Sequence, residues 1–166
     1  MKIIEALKAI KHLDRKIEKA LERISMWCSY ELDETNPEPP LYNADDISKM
    51  RQQVIDWTLE KARLRHLLHK TNINTNVEFD GKTYNIDQLL LLNTVVIPAR
   101  KDMLKQLTRR SISRRSFISD TTNSKVKIVM QYDPKEREKE MDSLDNTSMK
   151  ISALLDNLTL NTEIVE

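Results

Sequence analysis

The chain has 166 residues, of which 39% are hydrophobic and 32% charged, and its formal net charge is +1. This length and composition are typical of one globular domain, or of a helical bundle that oligomerisation completes. No apolar run is long enough to span a membrane, and a single cysteine excludes an internal disulfide, so we expect a cytoplasmic protein. The presence of only one glycine favours helices over folds with many tight turns.

The first predicted helix covers residues 3–26. Its apolar side chains recur in steps of three and four, and this heptad-like spacing predicts an antiparallel helical partner. They are Ile3, Ala6, Ile10, Leu13, Ile17, Ala20 and Ile24, with Leu7 and Leu21 widening the stripe. Three prolines then exclude a helix from residues 29–44, which predicts a long connection at one end of the bundle. Cys28, beside Trp27, is expected to be partly buried and inert.

The second predicted helix covers residues 45–69, with Asn43 as its cap. Its apolar seam repeats the spacing of the first helix and consists of Ile47, Met50, Val54, Trp57, Leu64 and Leu68. Lys61 interrupts this seam, which either fixes the register or oligomeric state, or is simply tolerated. The helix is expected to stop at the polar run of residues 71–76, whose side chains compete for backbone hydrogen bonds.

A β-hairpin is predicted over residues 77–86. Asp80 and Gly81 are the preferred pair for a type I′ turn, in which both central residues need a positive φ. After a polar loop over residues 111–124, residues 125–132 alternate between apolar and polar side chains, which predicts a half-buried strand. That strand could join the hairpin as a third strand, because an isolated hairpin is only marginally stable in water.

Two more helices are predicted around this strand. The third covers residues 87–110 and is apolar nearly all round at its start, and Pro98 should kink or split it. The fourth covers residues 134–158, because Asp133 and Pro134 are a strong start signal. Its seam consists of Met141, Leu144, Ile151, Leu155 and Leu158, with Ser148 as a polar break. The residues beyond 160 are expected to fray.

These elements predict a mainly α fold. We expect one domain over residues 1–166, built as an antiparallel, coiled-coil-like four-helix bundle with a small antiparallel β-sheet at one end. Its apolar seams are long and its aromatic residues few, so the core of one chain is thin. We therefore expect a homo-oligomer, most simply a two-fold dimer.

Four short motifs resemble those of the septicolysin-like family, a set of mostly uncharacterised bacterial and phage proteins. They are the opening Met-Lys-Ile-Ile-Glu-Ala-Leu, the Lys70-Thr71-Asn72 and Asp80-Gly81-Lys82-Thr83 pair, the Arg114-Arg115-Ser116 loop, and the segment Leu158 to Glu163. The resemblance implies a helical protein of a bacterial or phage-infected cell. The Arg-Asp pair that family members carry in the helix after the hairpin is missing, with Asn93 and Thr94 nearby instead, and the family's Trp near the C-terminal end is missing too. No membrane-length apolar segment supports the pore formation that the family name suggests.

The best candidate site is a basic cluster. Residues 100–127 contain nine Lys or Arg and two acids, whereas the rest of the chain is net negative. Arginine forks bind phosphate and carboxylate groups in a bidentate manner, so this segment predicts an anion site. Its candidate residues are Arg109, Arg110, Arg114, Arg115, Lys125 and Lys127. The alternative is a structural role, in which the cluster pairs with the acidic C-terminal helix of its own or a neighbouring chain.

Residues for catalysis or metal binding are not evident. His66 and His69 have the spacing of a metal pair on a helix, but no third ligand stands at a completing position. We expect that the protein is not an enzyme, and that it binds neither a cofactor nor a membrane. The expected function is a non-enzymatic, oligomeric binding or scaffold protein. The alternative is an anion-binding module that sequesters a phosphorylated small molecule or contacts nucleic acid, and the sequence leaves nucleic-acid binding open.

Overall fold

The structure, a computed structural model, describes residues 1–31, 34–35, 40–107 and 129–165. Of these residues 76% are helical, and one two-stranded antiparallel sheet accompanies the helices. The chain divides into two compact units. Unit 1 contains Met1–Asp87 and Asp156–Glu166, and unit 2 contains Gln88–Leu155. The prediction of a mainly α fold with a small sheet is confirmed, whereas a single four-helix bundle over the whole chain stays a prediction.

Unit 1 is built on two antiparallel helices, α1 (Ile3–Trp27) and α2 (Ala44–Asn74). Trp27 contacts Tyr42 at one end of the pair, and Lys61 of α2 pairs with Asp14 of α1. The predicted seams face each other, because the buried residues of the pair are Ile3, Ala6, Ile10, Ala20, Leu64, Leu68 and Thr71. Heptad spacing therefore identified the packed faces of both helices.

Both helices begin with a hydrogen-bonded cap, and the cap of α2 is reciprocal. In α2 the Asn43 side chain accepts from the Asp46 backbone N–H at 2.9 Å, and Asp46 accepts from the Asn43 N–H at 3.2 Å. The predicted cap is thus confirmed. At the start of α1 the Glu5 carboxylate accepts from the Lys2 backbone N–H at 2.8 Å. These bonds satisfy donors that a helix start leaves unpaired.

Helix α2 continues past the predicted stop to Asn74. Thr71 lies in this extension and is fully buried. Its hydroxyl donates to the Leu67 carbonyl at 2.8 Å and accepts from the Val165 backbone N–H at 3.0 Å. The helix thus ends within the polar run of residues 71–76, as predicted, but five residues after the predicted residue 69, because the Thr71 side chain bonds along the helix and to a distant segment.

The segment that follows the last helix (Pro134–Asn161) is held by hydrogen bonds to the start of the chain. Lys2 and Glu163 form an antiparallel bridge, the Ile3 N–H donates to the Thr162 carbonyl at 3.0 Å, and the Ile164 N–H donates to the Met1 carbonyl at 2.8 Å. Residues 162–165 were expected to fray, and this expectation was wrong. Their backbone groups have partners that no local sequence signal reveals.

A hairpin follows α2 in the predicted place. Strand β1 (Asn76–Phe79) pairs with β2 (Lys82–Asn85), with Val77 opposite Tyr84. Asp80 has φ 53° and Gly81 has φ 73°, as a type I′ turn requires. The hairpin joins the end of α2 through the Ile86 N–H, which donates to the Thr75 carbonyl at 3.2 Å.

The next helical run is divided near Pro98. It consists of α3 (Ile86–Leu91), a π-helical turn (Leu92–Val96) and α4 (Ile97–Gln106). Proline has no backbone N–H and its ring collides with the carbonyl four residues earlier, so a regular α-helix cannot pass through it unchanged. The wider π turn is closed by the Ile97 N–H on the Leu92 carbonyl, and one residue separates the turn from the proline. The predicted interruption is confirmed, and α4 ends before the predicted residue 110.

Unit 2 packs α4 against the first part of α5 (Pro134–Asn161). Arg137 donates through Nε to the Leu104 carbonyl at 2.8 Å near one end, and Asn93 contacts Ser152 towards the other, so the two segments run antiparallel. The buried residues are Leu89, Ile97, Leu104, Leu144 and Ile151. Helix α5 begins at the predicted Pro134.

The predicted third strand is only partly within the described residues. Residues 125–128 lie outside them, and residues 129–132 form no strand. Val129 and Met130 are exposed there, so the alternating pattern has no buried face to stabilise a strand. Within the described part of the chain the sheet therefore has two strands, and the prediction of a half-buried strand at residues 129–132 was wrong.

Candidate functional site

All six residues of the predicted anion site lie outside the described residues. They are Arg109, Arg110, Arg114, Arg115, Lys125 and Lys127. The anion site stays a prediction. The described part of the same basic segment is the end of α4, where Arg100, Lys101 and Lys105 are found.

Two of these α4 cations pair with acids on α5. The Arg100 guanidinium lies 2.6 Å from the Glu140 carboxylate, and Lys101 Nζ lies 2.5 Å from Asp145. The acidic C-terminal helix was the predicted structural partner of the arginine cluster. Two of its acids, Glu140 and Asp145, are thus already paired with basic residues that precede that cluster. Both pairs are partly exposed, so each contributes about 0–1 kcal/mol to stability.

The polar breaks in the helical seams have partners inside the chain. Lys61 forms an ion pair with Asp14. The Ser148 hydroxyl donates to Asn93 Oδ1 at 2.7 Å, and Asn93 Nδ2 donates to the Ser152 hydroxyl at 3.1 Å. Asn93 belongs to the π turn, so the widened helix supplies the side chain that satisfies Ser148. The sequence marks Lys61 and Ser148 as polar breaks, but it does not show that Asp14 and Asn93 are their partners.

The three histidines, His12, His66 and His69, are exposed. In the part of the chain that the structure describes, no three His, Cys, Asp or Glu side chains are grouped so that they could hold a metal ion. In the same residues no helix is long and apolar enough to cross a membrane. The paired histidines of α2 therefore have no third ligand among these residues.

An aromatic cleft lies between the end of α1 and the start of α2. It has a volume of about 420 Å³, and Trp27, Tyr30 and Tyr42 contribute rings to it. The Trp27 and Tyr42 ring centroids are 5.8 Å apart. Among the residues that the structure describes, no charged side chain lines the cleft, so its described lining suits apolar, planar groups. Cys28 at its edge is exposed, which corrects the expectation of a partly buried thiol.

The outer face of α2 is apolar and uncovered. Ile55 is 52% exposed and Leu59 65% exposed, although both stand in the middle of a long helix. With about 100° between successive residues, they point away from the seam that packs on α1. The series, which we call the outer stripe, consists of Ile55, Leu59, Ala62, His66 and Ile73. Helix α2 thus has two apolar faces, one buried and one exposed.

Sequence analysis missed the outer stripe. Its members follow one another in steps of four, three, four and seven, which is the same signal that identified the α1-facing seam. The inner seam, which contains larger residues such as Trp57, is the stronger of the two patterns. The exposure of the second series becomes visible only in the structure.

No protein-family model, curated protein or solved structure matches this chain. The resemblance to the septicolysin-like family therefore stays a prediction, and the function has to be argued from the residues themselves.

Proposed function

We propose that the chain is a non-enzymatic binding or scaffold protein that associates with a helical partner through the outer stripe of α2. The observation that carries this proposal is the exposure of Ile55 and Leu59 in the middle of the longest helix. Burying apolar surface stabilises a complex by roughly 25 cal/mol per Å² before the costs of association. Apolar patches with a polar border are typical of interaction sites.

The border of the outer stripe has the composition expected of such a site. Asp56 and Arg63 lie along one side of it, and Arg51 and Arg65 along the other. Apolar anchors at steps of three and four, flanked by charges, are the usual pattern for helix-to-helix recognition. The charges keep the uncomplexed helix solvated and select the partner, while the apolar residues supply the affinity.

Replacement of Ile55 and Leu59 by glutamine tests this proposal. Both side chains are largely exposed, so the Ile55→Gln/Leu59→Gln variant should keep the circular dichroism spectrum and melting temperature of the wild type. Its complexes, measured by light scattering of the purified chain and by co-purification from its host, should be lost. A matched control is Leu41→Gln/Met149→Gln, since these residues are 67% and 71% exposed but lie off the outer stripe. If both variants associate like the wild type, the proposal is wrong.

A second candidate function is anion binding through the segment that contains Arg114 and Arg115. The observation that favours it is the engagement of Glu140 and Asp145 by Arg100 and Lys101, which leaves fewer acids of α5 for the cluster. A bound anion should raise the melting temperature of the wild type, because a ligand that binds only the folded state stabilises it. Phosphate and a nucleotide are suitable probes. In the Arg114→Glu/Arg115→Glu variant the response should disappear while assembly is unchanged; loss of assembly instead would indicate the structural role.

A further inference from the structure

We propose that the partner of the outer stripe is the α2 helix of a second copy of this chain, and that the two helices run antiparallel about a two-fold axis between Glu60 and Lys61. This inference rests on the proposed function and names the partner of the same surface. The geometry that supports it is the spacing of the outer stripe and the distribution of charge along α2.

Four of the five members of the outer stripe, all but Ile73, are arranged symmetrically about the midpoint between Glu60 and Lys61. Leu59 and Ala62 are equally far from the midpoint between Glu60 and Lys61, and so are Ile55 and His66. In an antiparallel pair each Leu59 therefore meets Ala62 of the second copy, so that a large side chain fills the space beside a small one. The two-fold axis produces this Leu59–Ala62 contact twice, in two adjacent layers at the centre of the interface. Such self-complementarity is what a two-fold interface requires.

Charge along α2 favours the antiparallel direction. The first half of the helix (residues 44–59) contains three acids and two bases and is net negative, whereas the second half (residues 60–74) contains four bases and one acid and is net positive. An antiparallel arrangement places the acidic half of one helix along the basic half of the other, and it also opposes the two helix dipoles. A parallel arrangement would instead bring His66 against His66, with Arg65 and Lys70 of opposite copies beside them.

One pair of charges fixes the register. Asp56 and Arg63 flank the same side of the outer stripe, on either side of its centre, so Asp56 faces Arg63 of the second copy and Arg63 faces its Asp56. In the single chain Asp56 accepts from Gln52 Nε2 at 2.9 Å, and Arg63 lies 3.6 Å from Glu60. Both partners are exposed, intrahelical and weak. They can be exchanged for the intermolecular pair at little cost.

The contact is short, so the dimer should dissociate on dilution. Four helical layers bury less than the roughly 1,600 Å² of a standard interface, and interfaces of that class are weak or transient. We expect a monomer–dimer equilibrium that sedimentation equilibrium of the full chain can follow. A chain that stays monomeric at high micromolar concentration would overturn the inference.

Charge reversal tests direction and register together. Asp56→Arg places two arginines opposite each other twice per dimer, and so the dissociation constant should rise at least about tenfold. Arg63→Asp should do the same by placing two aspartates together. The double variant Asp56→Arg/Arg63→Asp restores opposite charges and should return the dissociation constant close to the wild-type value. In a parallel dimer Arg63 would face Thr58, so the double variant would not recover.

A gain of affinity provides a control that misfolding cannot imitate. In the proposed register Lys49 faces Lys70 of the second copy near each end of the contact. Lys49→Glu replaces two repulsive pairs by two attractive ones, and the dissociation constant should fall about threefold or more. Lys49 has no such partner in a parallel pair. An unchanged or weaker dimer would contradict the register.

The outcomes separate this inference from the proposed function. If Ile55→Gln/Leu59→Gln abolishes association but Asp56→Arg/Arg63→Asp is not rescued, the outer stripe is the binding surface and antiparallel self-pairing is wrong. If a complex forms through the outer stripe only with a different protein, self-pairing is again wrong. If changes on the outer stripe have no effect on any association, both are wrong.

Discussion

Thr71 joins two parts of the chain through one hydroxyl. It is fully buried, donates to the Leu67 carbonyl and accepts from the Val165 backbone N–H, 94 positions away. A buried side chain that both donates and accepts is satisfied without water, and removing one member of such a set leaves its partner unpaired. The effect of changing this residue should therefore exceed what its small size suggests.

The change Thr71→Val tests this expectation. Valine keeps the shape but has no oxygen, so the Val165 N–H loses its acceptor, and unfolding free energy should fall by about 1–2 kcal/mol. Urea denaturation measures the change. Thr71→Ser keeps the hydroxyl and loses only a methyl group, which should cost about 1 kcal/mol. Equal stability of Thr71→Val and the wild type would show that the hydroxyl is not a structural link.

Asn93 has a comparable role in unit 2. Its amide contacts both Ser148 and Ser152. Asn93→Ala and Ser148→Ala should each lower stability by about 1 kcal/mol, and the double variant should cost less than the sum, because both changes remove one shared bond. Thermal unfolding of the wild type, the two single variants and the double variant gives the coupling energy between the two side chains. Strict additivity would mean that the two side chains do not interact in solution.

At the scale of the elements, the hairpin turn depends on one backbone conformation. Gly81 has φ 73°, and no atom would meet an added Cβ within 4 Å, so a substitution there meets backbone strain but no clash. We expect Gly81→Ala to destabilise the chain by about 1 kcal/mol. Gly81→Asn should cost less, because asparagine tolerates the left-handed region. Hydrogen exchange of the β1 and β2 amides would locate the effect, and equal losses for both variants would contradict it.

Elements that depend on local signals could be predicted from the sequence. Asn43, Gly81 and Pro134 each act locally, Asn43 through its cap hydrogen bonds, Gly81 through its positive φ and Pro134 through its fixed φ at the helix start, and each was predicted in its place. The extension of α2 past residue 69 could not be predicted, because its support comes from Val165. The π turn was missed for a related reason: a proline signals an interruption but does not specify how the preceding turn accommodates it.

The candidate site was predictable to a smaller degree. The basic cluster is evident from composition alone, yet composition does not say which acids or ligands meet it. The outer stripe could have been found from the spacing of Ile55, Leu59 and Ala62. Spacing alone does not distinguish a buried face from an exposed one, however, and only the packing of α1 against the opposite side of α2 shows that this face is uncovered.

At the scale of the whole molecule, residues 162–165 tie the end of α5 to the start of α1. Deleting residues 162–166 removes four hydrogen bonds that backbone N–H groups donate, those of Ile3, Thr162, Ile164 and Val165. We expect a loss of roughly 2–4 kcal/mol, which calorimetry would detect as a lower melting temperature. Val165→Ala keeps these backbone bonds and trims a partly exposed side chain, so it should be close to neutral. A truncated chain that melts like the wild type would contradict the assigned role.

This tie also has a consequence for synthesis on the ribosome. Met1 and Ile3 leave the ribosome long before Thr162 and Ile164 are translated, and contacts between such distant residues form slowly even in a complete chain. The bonds to Met1, Ile3 and Thr71 therefore cannot form until residues 162–165 have been translated, so α1 and α2 first pack without them, and that end of the pair is the last part of unit 1 to be completed.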